Sequence, residues 1–218
     1  MNILNIQKFI LWAIPVIFAI TLHEVAHGWV ALIFGDKTAW KLGRLTVNPL
    51  KHVDPLGTIL VPIALFFLGG FIFGWAKPVP VIKENLHNPK RDMAFVAIAG
   101  PLANLLMALF WGGVLKIGMI ISKGNPTAGF EWVLIYIGQA GVLINLLLMI
   151  LNLIPIPPLD GSRIVSSLIP NKWDYYYSRY ELYGLILLLI LFITGILGKI
   201  LQPIISLFLM AIFHLFNF

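Results

Sequence analysis

Two histidines four residues apart inside an unbroken apolar run constrain this chain more than any other feature. His23-Glu24-Val25-Ala26-His27 lies within the run between Phe9 and Phe34. On a helix, positions four apart share a face, so both imidazoles point at one spot and can bind one metal ion. Glu24 stands beside them, where a carboxylate can take a proton from an attacking water. Ionisable side chains within a membrane helix are costly to bury and mark a functional site by default.

The membrane setting follows from composition. Of 218 residues, 60% are hydrophobic and only 11% charged, against about 25% charged in a soluble domain. Such a chain reads as an all-α polytopic membrane protein embedded in a lipid bilayer. It has no cysteine, so a metal must be held by His, Asp, Glu, backbone or water. The basic residues are scattered through loops rather than gathered into a nucleic-acid footprint, and no nucleic-acid partner is expected. No soluble segment is long enough for a separate module, so residues 1–218 are expected to form one membrane-embedded domain. Oligomeric state is left open.

Six apolar segments succeed one another at about 9–34, 58–75, 94–118, 132–158, 182–198 and 201–216. After the first, residues 36–57 change character. Trp40, Leu42, Leu45 and Val47 alternate with polar and glycine residues, and Asn48-Pro49 and Asp54-Pro55 punctuate the stretch. It is expected to be a short interfacial β-hairpin-like segment, whose strand edges could hold an unwound substrate. The third segment opens Gly100-Pro101-Leu102-Ala103-Asn104, which permits close packing and brings an amide into an apolar setting. The fourth ends Asn152 through Pro155, Pro157 and Pro158 to Asp160-Gly161.

A hydrolytic zinc site commonly takes three protein ligands and keeps one position for water. Asp160 is the expected third, because the three prolines deny the helix its hydrogen bonds and free the chain to bend the carboxylate inward. His52 and His87 are rivals, but both fall in loops with no visible device for burying them. Asp160 as a simple helix cap is the bland alternative.

This ligand set constrains topology. If 58–75 and 94–118 both crossed, His27 and Asp160 would lie roughly 20 Å apart in depth at 1.5 Å per helical residue. If 58–75 instead re-enters and returns, the ligands meet, and Gly69-Gly70 suits that turn. The charges agree. With a re-entrant 58–75, Lys37, Lys41, Arg44, Lys51, Lys77, Lys83, Lys90, Arg91, Arg163, Lys172 and Arg179 share one side, against Lys8, Lys116, Lys123 and Lys199 on the other. That asymmetry makes the first side cytoplasmic. Five transmembrane helices plus a re-entrant hairpin are therefore expected, with the N-terminus outside, the C-terminus cytoplasmic and the site nearer the cytoplasmic face.

His23-Glu24-Val25-Ala26-His27, Gly100-Pro101-Leu102-Ala103-Asn104 and the stretch from Asn152 to Gly161, in that order, resemble the site-2 protease family of intramembrane zinc metalloproteases. The resemblance covers about residues 9–168, without PDZ-like or CBS-like modules, and leaves 182–216 as an accessory helix pair. It implies one zinc ion on His23, His27 and Asp160, with Glu24 as catalytic base. It further implies Asn152, and less directly Asn104, in oxyanion or substrate contacts. The reaction implied is hydrolysis of peptide bonds in a transmembrane or membrane-associated protein substrate. A membrane metal-ion transporter, or a metal-binding relative without proteolysis, would use the same buried groups. Glu24→Gln separates them.

Overall fold

The computed structural model describes residues 3–60, 77–122, 129–170, 172, 174, 177 and 180–218, of which 3–10, 58 and 59 by backbone alone. The long apolar runs form helices because backbone polar groups in hydrocarbon must be satisfied within the segment. These are α1 (Ile3–Ile33), a single turn α2 (Thr38–Lys41), α3 (Pro89–Ser122), α4 (Phe130–Asn152), α5 (Asp160–Leu168), α6 (Glu181–Ile193) and α7 (Ile196–Phe216). Segments Leu11–Ile33, Pro89–Ser122, Phe130–Asn152 and Ile196–Phe216 are long and apolar enough to cross a membrane. The chain is a multi-pass membrane protein.

Helices α1, α3 and α4 form the frame around the site. His27 bonds to the Val96 carbonyl and His23 to Asn104, so α1 and α3 run antiparallel. Gly118 faces Ile135, Gly138 faces Leu115 and Gly141 faces Trp111, which makes α4 antiparallel to α3 and parallel to α1. These glycines let the helices approach closely: a Cβ at Gly138 would lie 2.7 Å from the Leu115 nitrogen. A buried cluster of Met107, Trp111, Val142, Leu146 and Met149 fills the seam.

The chain leaves α1 and re-enters α3 at the same end. The His87 N–H donates to the Phe34 carbonyl at 2.9 Å, and Asp36 accepts from the Ile82 N–H at 2.7 Å and the Asn85 amide at 3.0 Å. Asp36 is buried. Burial pushes its carboxyl up, but hydrogen bonds from the Thr38 hydroxyl, Ile82, Asn85 and the Thr38 N–H outweigh this and hold it below the ordinary carboxylate range.

Three expectations change here. Residues 38–48 contain a helical turn, and no strand occurs among the described residues. Asp36 accepts from the Thr38 N–H at 3.0 Å, and Asn48 accepts from the Leu50 N–H at 3.1 Å to open a 3₁₀ turn over Pro49–His52. Local side-chain partners of this kind favour turns over a strand that needs a ladder. Residues 77–82 form no helix or strand, and Ile82 at their end has extended backbone. Second, Asp160 does not end a long helix: α4 stops at Asn152, and Asp160 is the first residue of α5. Third, α6 has 13 residues, about 20 Å at 1.5 Å per residue, which is short of a bilayer core of about 30 Å. The end of α7 packs on Gly112, and Lys116 donates to the Asn217 carbonyl at 2.5 Å. Lys116 lies about 18 Å along α3 from Asn104 at the same rise. The C-terminus thus sits beside the half of α3 remote from the histidines. The expected re-entrant hairpin at 58–75 lies, beyond residue 60, outside the described residues; residues Pro55–Leu60 form a π-helical turn.

Candidate metal centre

His23 and His27 follow from one turn of α1, and their outer nitrogens are fixed by α3. His27 Nδ1 lies 2.7 Å from the Val96 carbonyl, which only accepts, so Nδ1 carries the proton. The His23 assignment comes through a chain of amides. Asn145 donates to the Gly141 carbonyl at 2.8 Å, which turns its Oδ1 toward Asn104. Asn104 then donates to Asn145 Oδ1 at 3.0 Å and to the Ala19 carbonyl at 3.2 Å. Its Oδ1 is left to accept from His23 Nδ1 at 2.7 Å. Both Nε2 atoms therefore present lone pairs, the arrangement in which an outer partner sets the tautomer and orientation of a metal-binding histidine.

Asp160 reaches the same point from the other side. The turn over 153–159 folds back so that a Cβ at Gly161 would collide with the Leu153 and Ile154 carbonyls. That close approach seats α5 and aims the carboxylate inward. Asp160 Oδ2 lies 3.1 Å from His23 Nε2 and 3.2 Å from His27 Nε2, and the two Nε2 atoms are 3.1 Å apart. All three side chains are buried. Three lone-pair donors in one buried triangle repel one another. One proton can satisfy a single edge, while one divalent cation satisfies all three. The edges come close to the separation of about 3.3 Å between ligands held at zinc distances in a tetrahedron. Among the described residues Oδ2 is also a buried oxygen without a hydrogen-bond partner, which a bound cation would satisfy. The residues present fit a zinc ion.

Gly100 explains the second motif. A Cβ there would lie 2.6 Å from His23 Cε1 and still closer to His27 Nε2. The motif thus leaves room for two imidazoles at Gly100 and orients one of them at Asn104, a turn further on. The expected oxyanion contact of Asn104 loses its donor, because both amide hydrogens are already committed. Asn152 is half-buried and donates to the Leu148 carbonyl at 3.0 Å, within its own helix. His52 bonds to the Thr46 carbonyl at 3.0 Å. His87 packs beside Gly35. Neither joins the cluster, which among the described residues comprises His23, His27 and Asp160.

Glu24 is half-buried and accepts the Val79 N–H at 2.7 Å through Oε2. The strip carrying Val79 is held from behind. Buried Arg44 donates to the Lys77 and Pro78 carbonyls at 2.8 and 3.3 Å, and the Lys77 N–H donates to the His52 carbonyl at 2.9 Å. Sequence reasoning missed Arg44 and Val79, since nothing in the chain pairs positions 44 and 77. It also missed Asn145, although the argument that singled out Asn104, an amide in an apolar run, applies equally there.

Membrane-crossing helices that close on three metal-ligating atoms, with a carboxylate one residue away in sequence, define a membrane-embedded centre suited to metal-dependent hydrolysis. Comparison with known proteins gives the family. The model of Peptidase family M50 matches residues 11–194. Three similar proteins carry the name "Putative zinc metalloprotease". YwhC of Bacillus subtilis is 40% identical over 193 residues, 88% of this chain and 84% of the relative. Rip2 of Mycolicibacterium smegmatis is 28% identical, over 88% of this chain and 70% of the relative. MJ0611 of Methanocaldococcus jannaschii is 33% identical, over 78% and 73%. No solved structure matches. The chain belongs to peptidase family M50, the site-2 protease family that its motifs resemble.

Proposed function

We propose that this peptidase is a zinc metalloendopeptidase that hydrolyses peptide bonds of transmembrane or membrane-associated proteins within the bilayer. The observation that carries the reading is the triangle of His23 Nε2, His27 Nε2 and Asp160 Oδ2 beside Glu24. His23, His27 and Asp160 would hold one zinc ion per chain. A bound zinc supplies Lewis acidity, making water a nucleophile near neutral pH and polarising the scissile carbonyl. Glu24 takes the proton of the attacking water and returns it to the departing amine. The Val79 N–H holds one Glu24 oxygen in place and leaves the other for that exchange. Asn104 and Asn145 act on His23 as positioning residues. Asn152 contributes to substrate or oxyanion contacts by turning its amide from Leu148 toward the reacting carbonyl.

The domain is the whole membrane-embedded unit over 1–218, with a catalytic core at about 9–168 and an accessory helix pair at 182–216. The N-terminus lies outside and the site nearer the cytoplasm, supported by the distribution of lysine and arginine. A re-entrant course for 58–75 is supported by the meeting of Phe34 with His87, which returns the chain to the end of α1 it left. The position of Asn217 beside Lys116 supports one net crossing by the α6–α7 pair, and with it a C-terminus on the side of the N-terminus rather than the cytoplasmic one that five crossings give.

The test is cleavage of a transmembrane peptide by the purified protein in detergent. Glu24→Gln should abolish cleavage while zinc content stays at one per chain. Retained cleavage would overturn the assignment of the base, and loss of zinc from the wild type without loss of cleavage would overturn the metal.

A further inference from the structure

Beside the metal centre lies a cavity of about 410 Å³ whose two walls both begin at catalytic groups. One wall is the non-helical strip through Val79 and Val81, and Val79 is the residue whose N–H holds Glu24. The other is α5, contributing Arg163 and Ser166, and α5 starts at Asp160. Lys83 and Met93 complete the lining that matters here. The charges in this cavity are unequal in status. Lys83 is neutralised by Asp174 at 3.0 Å, and Ser166 donates to the same carboxylate. Arg163 is exposed and forms no ion pair or hydrogen bond among the described residues. Among the described residues the groove therefore carries one uncommitted guanidinium, a single turn of helix from the metal ligand Asp160.

We infer that this groove is a substrate subsite in which Arg163 recognises a carboxylate side chain of the peptide near the bond to be cut. The inference rests on the proteolytic reading above. An unwound peptide advances about 3.3 Å per residue, and Arg163 lies three positions beyond Asp160, about 4.5 Å of helix rise. With the reach of its side chain, Arg163 meets an Asp or Glu roughly two to four residues from the scissile bond. The guanidinium forms a planar fork that fits a carboxylate bidentately, and the Val79–Val81 strip supplies an apolar wall for the peptide between the two charges. A lipid headgroup is the less favoured anion, because both walls lead to the catalytic groups.

The experiment uses the zinc-loaded full chain in neutral detergent micelles. Three transmembrane peptides differ only in having Glu, Gln or Lys at positions two to four residues from the cleaved bond, tried on each side. Wild type should prefer the Glu peptide over the Lys peptide about tenfold in kcat/KM, carried mainly by KM. Arg163→Glu should reverse that ranking. If Arg163→Glu fails to retain zinc, Arg163→Gln is read instead and should flatten the ranking. Identical rankings for wild type and variant overturn the inference. So does a charge effect that appears only when an anionic phospholipid is added and falls equally on all three peptides, which assigns Arg163 to a headgroup. Glu24→Gln runs in parallel. If wild type cleaves none of the three peptides, the proteolytic reading itself fails; if Glu24→Gln cleaves as well as wild type, only the assignment of the base fails. A flat ranking with Glu24→Gln inactive removes the subsite alone.

Discussion

The two halves of the metal centre reach the same point by unlike means. On the histidine half, each imidazole is fastened through its outer nitrogen to α3, and the Asn145–Asn104 amide chain ties His23 back to the Gly141 carbonyl of α4. On the carboxylate half, Asp160 Oδ2 lies against the two histidines and has no hydrogen-bond partner among the described residues, and its placement depends on the backbone turn packed around Gly161. The first half is held by hydrogen bonds between helices, the second by a close backbone approach. A helix pair can preset orientation before a metal arrives, whereas a turn held by packing must be correct throughout to deliver its one ligand.

That contrast can be broken most severely at the glycines. Gly100→Ala drives a Cβ into both histidines at once. It should remove zinc, measured by metal analysis of the purified protein, and reduce cleavage to background. Gly161→Ala displaces a single ligand by collision with the Leu153 and Ile154 carbonyls, and should leave weak zinc binding. If Gly100→Ala keeps its zinc while Gly161→Ala loses it, the histidine half is the tolerant one and the contrast is reversed.

The two asparagines sharpen it further. Asn152→Ala should lower kcat by about 10²-fold, the scale for a lost oxyanion donor, without changing zinc affinity. Asn104→Ala should do the opposite, weakening zinc affinity about 10- to 100-fold, as loss of an outer partner does. At saturating zinc, most of its activity should return. Competition with a chelator measures the affinity, and steady-state kinetics measures kcat. An Asn152→Ala protein that loses zinc would place that residue with the ligand-holding set.

The smallest effect is expected away from the metal, at the junction of the segment that joins α1 to α3. Asp36 prefers its charged form in the folded protein. The stability it contributes is fully present above the unfolded carboxylate value of about 4 and is lost as pH falls through its lower folded value. Asp36→Asn should cost about 1.5–3 kcal/mol at neutral pH, the scale for hydrogen bonds to a charged group. Thermal unfolding in detergent should show the gap between variant and wild type narrowing below pH 4. A gap that widens in acid would overturn the assignment.

Much of the site was legible because its pieces are local or costly. The i, i+4 spacing of His23 and His27 sets a shared helical face whatever surrounds it. Asp160 stood out because a carboxylate beside three prolines in so apolar a chain demands a reason. The demand that His27 and Asp160 meet also pointed to a segment between α1 and α3 that returns to its starting side. Residues 38–48 misled because alternation of apolar and polar residues suggests a strand without supplying its partner. The C-terminal pair is harder to read, because counting apolar segments takes α6 and α7 as two full crossings while α6 has only 13 residues.

Sequence by itself determined the membrane setting, the helical ligands and the chemistry that His, Glu and Asp can perform, because these depend on residue type and short spacing. Only the tertiary structure decided that Asn104 serves His23, that Arg44 and Val79 stand behind Glu24, and that Arg163 has no partner among the described residues in the adjoining groove. Those outcomes rest on contacts between residues dozens of positions apart, set by which helix faces pack together, and no local pattern records that packing.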